Sequence, residues 1–373
     1  MRFLVIVFLV IHAILKVSAQ SAAFIKVRNP IGMERQGELI SIPWKQVLLK
    51  FPKLDTANFK VVDATNNTEL PFQLEHRGEK LIQNLLVQLS VPAFKTIMLA
   101  IVNQKPPFVT SNTFGRYIPE RKDDFAWEND KIAFRMYGKA LEGSNENANG
   151  IDVWVKRTNK LIINERYKRG DYHVDHGDGL DYYHVGLTLG AGNLAPIFQD
   201  SIYYPQNYHS WQILDNGPLR TTFKLNYDEW NVAGTPVSCS KTISLDAGSQ
   251  LSRIEVKYSY QSTSPISVVA GIVKRPEQGT ALMNERNGIL AYWEPQHGAD
   301  GTTGVGVILP KQKAKMKITK KQYLAQTTVY SGKPITYYAG AAWNKADVIT
   351  NAKEWFLYLE NFRKKLSAPL VVE

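Results

Sequence analysis

The feature that most limits what this chain can become is an alternation of apolar and polar residues with a period of two. Between Leu251 and Tyr260, the residues Ile254, Val256, Tyr258 and Tyr260 fall on one side, and Arg253, Glu255, Lys257 and Ser259 on the other. Successive side chains of a strand point to opposite faces, so such a run buries one side of a sheet and wets the other. Phe223, Leu225 and Tyr227 repeat the pattern, as do Ile132, Phe134 and Met136. Asn149-Gly150, the turn from Asp246 to Gly248, and Asn287-Gly288 separate these runs with residues suited to hairpins. There is no Gly-rich phosphate loop, no repeat of fixed period, and no strand–helix rhythm of the kind that builds a parallel sheet. The expectation is an all-β, antiparallel fold.

A single helix breaks the pattern. Val348, Ala352, Trp355, Leu359, Phe362 and Leu366 recur at steps of three and four and make one apolar stripe. Asn351 and Glu354 have capping spacing, Arg363 to Lys365 suit the negative end of the helix dipole, and Pro369 ends the run. Such a stripe is expected to pack on a sheet. Pro106-Pro107 to Thr113 reads as a boundary. It divides a small β-domain at 20–110 from a large antiparallel β-sandwich with the C-terminal helix at 111–373.

Residues 1–19 read as a signal peptide: Arg2, then an apolar run from Phe3 to Leu15, then Val17-Ser18-Ala19 before the cleavage point. The run is short for a membrane span, and no second one follows, so no membrane anchor is expected. Cleavage would leave 354 of the 373 residues, and the formal charge of +11 would fall to +9 with the loss of Arg2 and Lys16. A basic excess predicts an anionic partner. For a chain expected to be exported to the periplasm, that partner is acidic polysaccharide in preference to nucleic acid. Cys239 is the only cysteine, which excludes an internal disulfide, and its strand-like setting suits a small buried residue.

Chemistry-bearing residues concentrate in the segment from Tyr172 to His184, which holds three His, three Asp and three Tyr around Gly177 and Gly179. Glycines at that spacing favour a loop that gathers side chains. Two readings of the loop stand side by side: a histidine acid/base site, and a divalent metal site. For the latter, Asp175, Asp178 and Asp181 offer oxygens, and His173, His176 and His184 offer nitrogens, without a specific signature. Upstream, Arg121, Trp127, Arg135 and Tyr137 have the composition of a sugar groove, because Trp stacks on a pyranose face and Arg forks a carboxylate. The equal alternative is an ion-pair network through Asp123, Asp124 and Asp130. Trp154, Lys156 and Thr158 share one face of a strand, with Arg157 on the other.

The runs Pro119–Gly138 (which contains Trp127-Glu128-Asn129-Asp130), Gly150–Thr158, Tyr172–Gly186 and Asn216–Arg220 resemble a family of exported proteins long labelled a domain of unknown function. Its members are encoded in the polysaccharide-utilisation loci of Gram-negative bacteria, beside enzymes for pectin- and ulvan-type uronic acid polymers. The resemblance runs from about residue 24 onward and implies a mutarotase-like β-supersandwich. It also implies oligosaccharide dehydratase activity on a non-reducing-end glucuronic or iduronic acid. Removing the C5 proton and expelling the C4 oxygen as water then needs a base, an acid and a cation on the carboxylate. The expected acid/base residues are His173 and His176 with Tyr172 or Tyr183. The expected carboxylate grip is Arg121, Lys156 or Arg157, and the stacking platform is Trp127 or Trp154. A polysaccharide lyase, an epimerase and a non-catalytic binder of acidic glycans are the competing functions. A divalent metal is the one cofactor this scheme could take, in place of Arg or Lys on the carboxylate.

Overall fold

The computed structural model describes residues 23–106 and 109–373; the expected signal peptide at 1–19 lies outside them. The chain is mostly strand, and every sheet pairing is antiparallel. This is what the alternation requires.

Two small sheets form the N-terminal unit. One has five strands in the order Val371–Val372, Ile25–Arg28, Thr96–Val102, Lys60–Asp63, Thr68–Leu70; the other has three, Arg35–Pro43, Asn84–Val91, Phe72–Glu75. Val27, Ile42, Val61, Val87 and Leu99 pack between them in a separate core. The strand Val371–Val372 comes from the far end of the chain and pairs with Ile25–Arg28.

The larger unit has one eight-stranded sheet and two five-stranded ones. Buried side chains from all three meet in one core, among them Trp127 and Phe134, Leu194 and Ile272, and Phe223, Ile254 and Ala339. Cys239 lies in this core, and burial pushes its thiol up to about 11. The helix Ala352–Ser367 packs on the other face of the eight-stranded sheet, where Trp355 and Leu359 are fully buried. Glycine makes the approach possible. A Cβ on Gly304 would lie 2.9 Å from Trp355, and one on Gly306 would lie 2.7 Å from Leu359. The Asn351 side chain caps the helix by accepting from the Glu354 amide, while the Glu354 carboxylate accepts from Thr350 instead of closing on Asn351. Val348 falls before the first turn and is exposed, so the stripe is one residue shorter than its spacing suggested.

Polar bonds join the two units. Gln73 Oε1 accepts from the amides of Leu219 and Arg220, and the Arg220 guanidinium binds Asp246 and Glu75. The Asn216–Arg220 segment therefore belongs to the junction between units. No helix among the described residues is long and apolar enough to cross a membrane.

Candidate functional site

The five-stranded sheet Gly179–Leu180, Ile151–Lys156, Ala133–Met136, Asp124–Asn129, Thr113–Ile118 positions the predicted residues. Its register opposes Arg135 to Ala126 and Asp152, and Ala133 to Glu128 and Trp154. One face thus sends Trp127, Phe134 and Val153 into the main core. The other gathers Asp124, Glu128, Arg135, Asp152, Trp154 and Lys156. As expected, Trp154 and Lys156 share a face, but the helix Ile163–Arg169 and Tyr172 cover it, and both residues are about 1% exposed.

Under that cover, charges are spent on one another. The Lys156 ammonium donates to Glu128 Oε2 at 2.7 Å and to the Asn129 carbonyl at 2.6 Å, while Glu128 also accepts from the amides of Ile162 and Ile163 that open the helix. Arg135 reaches Asp152 Oδ2 at 2.6 Å, Asp181 Oδ2 at 3.2 Å and Asp124 Oδ2 at 3.7 Å, with its guanidinium over the Trp154 and Tyr137 rings. One cation cannot satisfy three carboxylates. Burial and the neighbouring Asp152 hold Asp181 well above the usual carboxylate range. Burial pushes Asp124 up to about 7 against the pull of Arg135 and Arg121.

The loop from Asp171 to His184 crosses this buried cluster and offers a second, open side. The Tyr172 carbonyl accepts from the Asp181 amide at 2.8 Å, which closes the loop on itself. The His173 side chain is exposed, and its Nδ1 lies 2.7 Å from the Asp181 carbonyl oxygen. A carbonyl only accepts, so Nδ1 carries a proton directed at Asp181, and the Nε2 edge of the exposed ring is left uncommitted. Asp175 bonds the amides of Gly177 and Gly179, both at positive φ, and pairs with Arg157. The Arg157 guanidinium lies 5.1 Å from the centre of the Trp343 ring and stays about one third exposed.

Beyond the loop stand residues that the sequence reading did not select. Tyr182 donates to or accepts from Thr303 Oγ1 at 2.6 Å and stacks on His297, ring centres 5.3 Å apart. His297 Nδ1 is 3.0 Å from Asp300 Oδ2. Backbone bonds between His297 and Gly301 and from Asp300 to His297 tighten the turn, and Trp343 Nε1 donates to the Asp300 carbonyl at 2.8 Å. Beside them Arg275 bonds Glu294 at 2.6 Å and the His184 carbonyl at 2.7 Å, and burial pushes Glu294 up to about 7. The available signal was the run from His297 to Gly301, where His and Asp stand three apart and each is followed by a glycine.

Several placements correct the sequence expectations. Trp127 is wholly buried, donates to Ser252 Oγ at 3.0 Å and stacks on Phe134, so it presents no face to a sugar. Trp154 is stacked on Tyr172 under the roof and is equally closed. Lys156 is sealed on Glu128 and cannot grip a ligand. Tyr183 is 3% exposed, its hydroxyl has no partner, and burial beneath Arg275 raises it far above the ordinary phenol range. Tyr172 is buried too, with its hydroxyl accepting from Arg121 Nε at 3.0 Å; Arg121 also pairs with Glu146. His176 sits at the loop tip, 3.4 Å from Asp171. Of the predicted residues, His173, His176 and Arg157 keep exposed side chains, and Arg121 is half-buried.

The loop's carboxylates diverge: Asp175 goes to Arg157, Asp178 to Arg166 and Arg169, and Asp181 inward to Arg135. Among the described residues, no group of three or more His, Cys, Asp or Glu side chains is placed to hold a metal ion.

A family model described as a domain of unknown function, DUF4861, matches residues 27–372. An uncharacterized protein, P7, from Formosa agariphila is 34% identical over 279 residues, which covers 69% of each chain. Two solved structures from Enterococcus faecalis are similar in fold: a glycosyl hydrolase family 38 protein at TM-score 0.54 and an α-mannosidase at 0.51. They are 9% and 8% identical, and the matches cover 95% and 94% of this chain but 47% and 45% of theirs. The chain thus spans about half the length of those structures, and the likeness is one of fold alone.

Proposed function

The chain belongs to the DUF4861 family, and from that premise we propose that it is an oligosaccharide dehydratase acting on a non-reducing-end uronic acid of ulvan-type oligosaccharides. The fold would be a mutarotase-like supersandwich, exported to the periplasm after loss of residues 1–19. The single observation that carries the reading is His173: its Nδ1–H is fixed on the Asp181 carbonyl and its Nε2 is open.

The C5 hydrogen of a uronate is acidic because it lies next to the carboxylate, provided that the carboxylate charge is balanced. Arg157 is the cation best placed for this. It is exposed, it perches on Trp343, and it pairs with Asp175 two residues after His173. His173 Nε2 takes the C5 proton, the C5–H electron pair becomes the C4–C5 double bond, and the C4–O bond breaks with its electron pair on oxygen, which takes a proton from a general acid and leaves as water. The buried Arg135 cluster contributes by holding Asp181, whose carbonyl orients the base. The basic surplus of the chain draws an acidic oligosaccharide towards this surface.

The test uses saturated uronate-terminated oligosaccharides from several polymers. Loss of the mass of one water from an intact oligomer, together with near-ultraviolet absorbance of the conjugated enol ether, supports the reading. Two sugar fragments would make the protein a lyase, and binding with no change of mass would make it a glycan-binding protein.

A further inference from the structure

Two histidines border the same stretch of loop, and each is held through Nδ1. His173 Nδ1 lies 2.7 Å from the Asp181 carbonyl oxygen and 3.8 Å from the same residue's carboxylate. His297 Nδ1 faces the Asp300 carboxylate at 3.0 Å, with its side chain about two thirds exposed. The Asp300 carboxylate can only accept, so it takes the Nδ1–H and fixes the ring, which leaves the exposed Nε2 edge of His297 for solvent or a ligand.

The two rings are tied together by the chain itself. The Asp181 carbonyl that holds His173 belongs to the peptide whose nitrogen is that of Tyr182, and the Tyr182 ring carries His297. Asp300 is in turn fastened through its carbonyl to Trp343, the ring beneath Arg157. A continuous chain of contacts, through Asp181 and Tyr182 on one side and Trp343 on the other, therefore links His173 and Arg157 to the Asp300–His297 pair. The pair is built with care for a surface feature: Gly301 holds φ +96°, and a Cβ there would come within 2.4 Å of the Asn344 side chain.

We propose that His297 is the general acid of the elimination, with Asp300 as its positioning residue and Tyr182 as the surface that fixes its ring. This rests on the dehydratase reading. As the C4–O bond breaks, the electron pair leaves with oxygen, and His297 Nε2 gives its proton to that oxygen. The proton taken by His173 returns to His297 through solvent before the next turnover.

A pair of substrates tests this: a uronide with its 4-hydroxyl, and the same uronide with fluorine at C4. Fluoride departs without needing full protonation, whereas hydroxide does not. His297→Gln is expected to slow water loss by about 10²-fold or more and to change fluoride release by no more than about threefold, while His173→Ala slows both. Asp300→Asn follows His297→Gln with a smaller loss. Equal effects of His297→Gln on both substrates, or no effect on either, would overturn the acid role while leaving the dehydratase reading intact. A wild-type protein that releases neither water nor fluoride overturns the dehydratase reading itself, and the acid role with it.

Discussion

Arg135 and Arg157 keep the same company in different surroundings. Each is paired with aspartate and each lies over a tryptophan, Trp154 at 5.4 Å for one and Trp343 at 5.1 Å for the other. Arg135 is 6% exposed and has three carboxylates around it; Arg157 is 35% exposed and has one. In a low-dielectric setting the charges bind one another tightly and leave nothing for a ligand. At the surface the pair is weak and exchangeable, which is the property a carboxylate-binding cation needs. Burial, more than residue type, separates the scaffold from the site.

The largest effect is expected where the buried pairing is broken. Arg135→Met strands Asp152 and Asp181 and should cost about 3–5 kcal/mol in denaturant unfolding. A loss under 1 kcal/mol would mean that the buried carboxyls are already neutral without it. A pH series probes the same region. Asp124 is raised to about 7 in the fold, above its unfolded value of roughly 3.9. The folded state therefore binds the extra proton. This contribution is fully present below about pH 4, is lost as pH rises towards about 7, and is flat beyond. Asp124→Asn should make that decline shallower; an unchanged slope would assign the decline to other groups, Glu294 first.

On the open side the effects should fall on rate and binding instead. His173→Ala is expected to lower elimination about 10²-fold with little change in stability. His176→Ala, out at the loop tip, should stay within about threefold; if it matches His173→Ala, the base has been assigned to the wrong ring. Arg157→Ala should raise KM about tenfold, an effect that shrinks with added salt, and shift stability by no more than about 0.5 kcal/mol. A stability loss as large as that of Arg135→Met would erase the distinction between the two arginines.

Much of the fold is written locally. The strand Leu251–Tyr260 follows from side-chain pitch alone, and Ile254 and Val256 are buried where alternation puts them. The helix Ala352–Ser367 follows from its stripe and its Asn351 cap. The site is written less plainly. Trp127, Glu128, Asn129 and Asp130 look like a functional motif, yet each is used for construction. Trp127 fills the core, Glu128 starts the helix Ile163–Arg169, Asn129 Nδ2 bonds the Asp246 and Ser249 carbonyls, and Asp130 holds the Gly248 amide. Alternation shows that Lys156 and Arg157 point opposite ways, but not which side has a roof, because the roof comes from a short helix with weak local signals. His297 and Asp300 were hidden for a related reason. Their place beside the Asp171–His184 loop is made by Tyr182, whose ring stacks on His297, a contact between distant parts of the chain.

The short strand Val371–Val372 has a consequence for biogenesis. Lys26 and Glu373 exchange two backbone bonds of 2.9 Å, so the first described strand of the N-terminal sheet is completed by residues made much later. Pairings between such distant segments form slowly. Until then Ile25–Arg28 keeps a row of bare amides and carbonyls able to recruit a strand from another copy. A chain cut short before these residues would carry that open edge as a label of its incompleteness.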